Sequence, residues 1–144
     1  MNISDKGIDF IKKEEGLVLN AYLCPAGVWT IGYGHTNGVK KGDVISEEKA
    51  EEFLREDVLY SERIVNKMVE VELTQNQYDA LVSFCFNVGS GAFISSTLLK
   101  KLNSGANDDE ICKELSKWVY SKGRKLPVLI ARRERECKLY RGEA

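Results

Sequence analysis

Between residues 17 and 45 the chain carries five glycines, at 27, 32, 34, 38 and 42, set among strand-forming residues. Val28-Trp29-Thr30-Ile31 and Tyr33 favour extended backbone, and Pro25-Ala26-Gly27 marks a turn. Glycine at that density is costly in a helix and leaves too little side chain for a buried core strand. The stretch predicts a small, twisted antiparallel sheet with tight turns. Helical patterns stand on both sides of it, so the fold must set a small sheet among helices.

Upstream, Ser4 can cap a short helix in which Ile3, Ile8 and Ile11 fall near helical spacing, with Gly16 as the residue that ends it. Downstream, Ser46 opens a long helix with Glu47 and Glu48 in its first turn, where the helix dipole favours acids. Leu54, Val58, Val65 and Met68 form its apolar stripe. Thr74-Gln75-Asn76-Gln77 reads as a capping box. The helix behind it, from Tyr78 to Val88, is apolar nearly all round and belongs at the centre of a helical core, with Gly89 ending it. Shorter helices are expected from Ser96 to Leu102 and from Asn107 to Trp118. A last one runs from Pro127, a suitable first-turn residue, to Tyr140. The outline is one short helix, a small sheet and five helices, without repeat, linker or low-complexity tract.

The expected fold class is therefore α+β, mostly helical, in a single domain over residues 1–144. A small sheet-containing lobe over about 1–60 includes the connecting Ser46 helix, and a helical lobe follows over about 61–144. Clefts between lobes commonly take a substrate. At 144 residues the chain is long enough for a core of ordinary size, and 43% hydrophobic with 30% charged residues is globular composition.

Composition narrows the chemistry. One histidine, His35, cannot build a multi-histidine zinc site, and no metal or cofactor is expected. A net charge of −1 makes a general nucleic-acid binder a poor fit. That neutrality hides a division: residues 1–99 hold 9 basic and 15 acidic groups, and residues 100–144 hold 12 and 7. A solvated helix face is the preferred reading of the basic part, and a surface that attracts a polyanion is the second. Cys24, Cys85, Cys112 and Cys137 are separated by 61, 27 and 25 residues, with no CxxC pair. The last three sit in apolar patterns and read as buried free thiols in preference to a disulfide framework. The N-terminus lacks a signal-peptide run and no stretch reaches a membrane span, so synthesis and folding in a cytoplasm, with no stable membrane association, are expected.

The densest constellation runs from Glu14 to Thr36. A glutamate ends the first helix where the sheet begins. A general acid working near neutral pH needs a carboxyl that keeps its proton, which partial desolvation can supply. Glu15-Gly16 is followed nine positions on by Cys24, and six further on by Thr30 within Thr30-Ile31-Gly32-Tyr33-Gly34-His35. With these go Leu73-Thr74-Gln75-Asn76-Gln77-Tyr78-Asp79-Ala80-Leu81, Asn87-Val88-Gly89, Ser96-Thr97-Leu98, Trp118 and Arg132-Arg133. In this order and spacing the chain resembles the bacteriophage lysozymes, or endolysins, of glycoside hydrolase family 24, from about Ile8 to Tyr140. Two departures stand out. Many members have aspartate where Cys24 stands, although some have cysteine. A glycine is also common before the leucine ahead of the Arg-Arg pair, where this chain has Lys125-Leu126-Pro127-Val128-Leu129.

The resemblance implies a lysozyme-like fold and an N-acetylmuramidase that hydrolyses the β-1,4 bond between N-acetylmuramic acid and N-acetylglucosamine in peptidoglycan, for host cell lysis. It makes Glu15 the general acid, with Glu14 its neighbour and competitor, and gives Cys24 and Thr30 the attacking water. It suggests inversion at the anomeric carbon. It makes His35 structural. Tyr22, Gly32, Tyr33, Asn87, Ser96 and Thr97 become substrate-contact candidates, although Tyr22 and Tyr33 could equally serve the small lobe's core. The implied partner is peptidoglycan, with no nucleic acid, in a monomer held in the host cytoplasm until a holin releases it to the periplasm and cell wall. Two other readings remain at this point. One is a catalytically weak or inactive muramidase-like domain that binds cell-wall glycan or a protein partner. The other is a redox-masked enzyme, with Cys24 as the masked group.

Overall fold

The computed structural model describes residues 1–143. In chain order the elements are α1 (Asp5–Glu15), β1 (Val18–Leu23), β2 (Trp29–Gly32), α2 (Glu47–Met68), α3 (Gln75–Val88), α4 (Ser90–Ile94), α5 (Thr97–Asn103), α6 (Asp108–Leu115), β3 (Tyr120–Ser121), β4 (Arg124–Lys125) and α7 (Pro127–Arg141). The protein is mostly helical with two small antiparallel sheets. Among the described residues no helix is long and apolar enough to cross a membrane.

The chain divides into two compact units, one over Ile8–Tyr60 and one made of Met1–Gly7 with the chain from Ser61 onward. The first seven residues join the second unit through specific bonds. The Ser4 N–H donates to Asp79 Oδ1 at 3.0 Å, the Ser4 hydroxyl donates to Oδ2, and the Ile3 N–H donates to Glu62 Oε2 at 2.8 Å. Asp79 is 1% exposed, so these bonds satisfy a carboxylate that burial would otherwise leave without solvent.

In the unit Ile8–Tyr60, β1 and β2 pair antiparallel with Val18 opposite Gly32, Tyr22 opposite Thr30 and Leu23 opposite Trp29, with an irregularity between Val18 and Tyr22. Single bridges Asn20–Val44 and Ile31–His35 extend the ladder. Ser46 caps α2 as expected, accepting from the Lys49 N–H at 3.1 Å. Ile8, Ile11, Ile31, Leu54 and Val58 are fully buried and form this unit's core.

In the other unit α3 is the hub. Its capping box is present, with the Thr74 side chain accepting from Gln77 N and the Gln77 side chain accepting from Thr74 N. Eight consecutive residues, Tyr78 to Cys85, are buried. The Phe84 ring meets Phe93 edge-on at 6.3 Å and Trp118 at 5.6 Å. Asn107 caps α6, and Pro127 sits in the first turn of α7.

The structure departs from the sequence expectations at several places. The helix after Asn107 ends at Leu115, because the chain turns there and brings Trp118 onto Phe84. A five-residue helix, α4, follows Gly89 directly. The β3–β4 hairpin, turning at Lys122-Gly123 with both residues at positive φ, occupies the segment before α7. Leu126 then pairs its N–H with Val119 O at 2.9 Å, which sets the entry to α7.

A further departure is covalent. Cys112 and Cys137 form a disulfide with Cα atoms 5.3 Å apart, where free thiols were expected. Packing of α6 against α7 brings them together, and a gap of 25 residues carries no trace of that. Cys85 is free and buried, and Cys24 is free and half-buried. Closing a loop of 25 residues restricts the unfolded chain by about 3.5 kcal/mol. Cys112→Ser, or reduction, is therefore expected to lower stability by about that amount. Urea unfolding with and without reductant measures it, and coincident curves would contradict it.

Arg132 and Arg133 are 5% and 2% exposed, so this part of the basic C-terminal segment is not a solvated face. Glu136, fully buried, accepts from Arg132 Nε at 3.3 Å, Arg133 Nη1 at 2.5 Å and the Ser83 hydroxyl at 2.6 Å. The two arginines hold α7 to α3 and are not available to an external polyanion.

Candidate active site

Glu15 is the last residue of α1, and Gly16 stops the helix at φ +75°, its N–H returning to Lys12 O at 2.9 Å. Glu15 is half-buried. Gly34 is its close neighbour: a Cβ at residue 34 would stand 3.2 Å from Glu15 Oε1, and the backbone there is at φ +85°. A side chain at 34 would both strain the backbone and press on the carboxyl, which accounts for glycine at this position.

Cys24 and Thr30 meet at the base of the β1–β2 connection. The turn is fixed by Cys24 N–H to Val28 O at 3.0 Å and Gly27 N–H to Cys24 O at 2.8 Å. Hydrogen bonding from the Val28 and Ala26 N–H groups, with a smaller contribution from the Thr30 hydroxyl, holds the Cys24 thiol below its usual pKa. Thr30 is 4% exposed, and its hydroxyl donates to Val28 O at 3.0 Å. Its single proton is thus committed to Val28 O, while its oxygen keeps acceptor capacity for a water. The thiolate should be populated at lower pH than in an ordinary thiol. Alkylation of Cys24 is expected to show a pH midpoint below about 8.5, while Cys85, whose thiol burial pushes up, stays unreactive. Labelling rates read by mass spectrometry between pH 6 and pH 10 check this, and a midpoint at or above the ordinary value would contradict it.

His35 is 5% exposed, stacks on Phe53 at 4.0 Å with 6° between the planes, and has Nδ1 2.8 Å from Asp57 Oδ2. Its backbone N–H and C=O both pair with Ile31 at 2.9 Å. Gly32 is buried, and a Cβ there would come within 3.3 Å of Ala50, so its bare backbone is what lets β2 lie against α2. Tyr33 is 6% exposed, with the Lys12 ammonium 5.8 Å from its ring centroid, and belongs to the core. Tyr22 is 41% exposed and open to a ligand.

The phage lysozyme family model matches residues 12–136. The chain belongs to the phage lysozyme family. It is 51% identical over 97% of its length to the endolysin of Acyrthosiphon pisum secondary endosymbiont phage 1, covering 98% of that protein. Among solved structures it is similar to the muramidase domain of SpmX from Asticaccaulis excentricus, with TM-score 0.91 and 41% identity over 96% of this chain and 97% of that one. It is also similar to an endolysin from Escherichia coli O157:H7 phage FAHEc1, with TM-score 0.89 and 41% identity over 97% of this chain and 93% of that one. The enzyme is a peptidoglycan hydrolase of the muramidase type.

The remaining sequence candidates lie in the unit that follows Ser61. Ser96 is 4% exposed and caps α5, donating to Phe93 O at 2.6 Å and accepting from Leu99 N at 3.1 Å. Its hydroxyl is committed inside the protein, which removes it as a substrate contact. Thr97 is exposed at the first position of α5. Asn87 is exposed near the end of α3, and its Oδ1 accepts from Arg133 Nη2. Sequence reasoning passed over the Ala26 and Val28 N–H groups, because backbone donors leave no mark in residue type. It also passed over Asp57 and Phe53, which are ordinary members of a long amphipathic helix until His35 is placed against them.

Proposed function

We propose that this muramidase hydrolyses the β-1,4 bond between N-acetylmuramic acid and N-acetylglucosamine, with Glu15 as general acid and the Cys24–Thr30 pair handling the attacking water. The observation that carries this reading is the tight turn that fixes Cys24 on Val28 and holds the buried Thr30 hydroxyl on the same Val28 carbonyl, with the Cys24 thiol kept below its usual pKa by backbone N–H groups. Glu15 gives its proton to the leaving glycosidic oxygen as the C–O bond breaks. The Thr30 oxygen accepts a hydrogen bond from the water, and the Cys24 thiolate takes the water's proton as the new C–O bond forms. A thiolate also supplies the negative charge that an oxocarbenium-like transition state requires. Attack from the face opposite the acid would invert the anomeric centre.

In this reading His35 supports the site by fixing the Ile31–His35 bridge to α2, and Tyr22 and Thr97 are the exposed substrate-contact candidates. Every proton-transfer role falls to a side chain, so the scheme invokes no cofactor. The enzyme acts as a monomer in one lysozyme-like domain. It is made in the host cytoplasm, reaches the periplasm through a holin and lyses the cell. Mass spectrometry of digested peptidoglycan tests the bond assignment. Fragments with a hydrolysed, reducing-end muramic acid are expected, and anhydro-muramic acid or reducing-end glucosamine products would overturn it.

A further inference from the structure

The disulfide of the unit that follows Ser61 stands in the wall of a cavity. Cys112 and Cys137 both line it, and its volume is about 600 Å³. A cavity of that size admits a molecule of drug or tripeptide dimensions. Both cysteines are half-buried, whereas Cys85 on α3 is fully buried. The wall carries charges of both signs, with the exposed Lys138 next in the chain to Cys137. The reduced pair is also provided for. Cys112 Sγ lies 3.9 Å from Cys137 O, so a Cys112 thiol has a carbonyl acceptor in place without moving. What the bond holds is α6. Eight residues are too few for a helix to be stable alone, so the order of α6 depends on its ties. Beside the buried Ile111 and Leu115, Lys101 of α5 reaches Glu114 at 3.0 Å and Arg141 of α7 reaches Asp109 at 2.5 Å. The Arg141–Asp109 pair is exposed and holds weakly. The covalent tie is the one that a change of redox environment removes.

We propose that Cys112–Cys137 is a thiol–disulfide exchange site in the folded protein, opened and closed by a low-molecular-weight thiol of the glutathione class that enters this cavity, and that its redox state sets the order of α6. A thiolate of the small thiol attacks one of the two sulfurs, the S–S bond breaks, and a mixed disulfide and a protein thiolate are left. A second small thiolate attacks the small-molecule sulfur of the mixed disulfide and releases the small molecule as its own disulfide. The two cysteines keep the two electrons and take up two protons. The reverse sequence, with the oxidised small molecule as electron acceptor, restores the bond. A disulfide sealed in a core is reached only when the chain unfolds, whereas an accessible one exchanges in the native state. A half-buried pair on a cavity wall belongs to the second kind. The inference rests on the reading above for one point, the passage from a reducing cytoplasm to an oxidising periplasm. On that route α6 is held loosely before release and stapled after it.

The full chain is incubated with excess reduced glutathione, and the state of Cys112 and Cys137 is followed by differential alkylation and mass spectrometry. The rate is measured at urea concentrations below the unfolding transition. Exchange through the cavity predicts a rate that stays flat across that range. A rate that climbs with the unfolded fraction, by about tenfold or more per molar urea, means that the sulfurs are reached only through global unfolding and overturns the proposal. A pair that glutathione leaves oxidised while a protein dithiol reduces it overturns the proposal as well. Lys138→Glu changes an exposed residue and should shift the unfolding midpoint little. It turns the cation beside Cys137 into an anion, so glutathione exchange is expected to slow about three- to tenfold, and an unchanged rate counts against the cavity as the route. Hydrogen exchange reads the consequence. On reduction the gap in protection between the amides of α3 and those of α6 should widen by about tenfold. A gap that stays the same overturns the claim that redox state sets the order of α6. None of these measurements reads turnover, so their failure leaves the catalytic reading standing. Anhydro-muramic acid or reducing-end glucosamine products would remove that reading and leave the exchange chemistry in place.

Discussion

Glu15→Gln is expected to lower the rate of turbidity loss on permeabilised Gram-negative cells by about 10²–10⁴-fold, the range that a positioned general acid contributes. The substitution keeps shape and hydrogen bonding while removing the transferable proton. It leaves Gly16 free to stop α1 and keeps the small contact at Gly34, so the unfolding midpoint should stay at the wild-type value. That combination separates chemistry from folding. The neighbouring Glu14→Gln is the internal control, since Glu14 is also half-buried at the end of the same helix but has no close approach of Gly34 to its carboxyl. It is expected to retain activity. Full turnover by Glu15→Gln would sink the assignment, and loss of activity in Glu14→Gln alone would transfer the role to Glu14.

The parts of this fold that were legible in the sequence are those decided within a few residues. Thr74 and Gln77 satisfy each other's backbone across one helical turn, Asn107 accepts from Glu110, and Gly16 ends α1 by its own backbone freedom. Each of these signals is local, so residue type and spacing carry it. The proposed roles of Glu15, Cys24 and Thr30 rest on a different ground: their spacing matches a pattern of separated motifs that arbitrary sequences do not share. What escaped is non-local. Nothing near Cys112 points to Cys137, because the disulfide depends on α6 and α7 lying together. The chemistry of Cys24 depends on the Ala26 and Val28 N–H groups, which every residue but proline possesses. The charge count misled at Arg132 and Arg133 because it treated ionised residues as surface residues. Glu136 stands three and four positions beyond them, and that spacing was the available hint of a buried cluster.

Glu136→Ala is expected to cost about 5 kcal/mol of stability, the upper end of what breaking a buried ion pair costs. The carboxylate is fully buried and serves Arg132, Arg133 and Ser83 together. Removing it takes the Glu136 carboxylate from two buried guanidinium groups and the acceptor from one buried hydroxyl. The energetic penalty is the lost buried counter-charge, because the intact cluster already offsets its desolvation cost with short, directed bonds. Against a total of about 5–15 kcal/mol for an ordinary domain, such a loss leaves little margin at 37 °C. Urea unfolding monitored by tryptophan fluorescence measures it, and a loss below about 2 kcal/mol would contradict the cluster's role. The sign of the coupling is a sharper check than the size. Arg133→Met should destabilise the wild type, because it removes a partner from Glu136. In the Glu136→Ala background the same change removes a buried charge that has lost its carboxylate and should restore part of the lost stability.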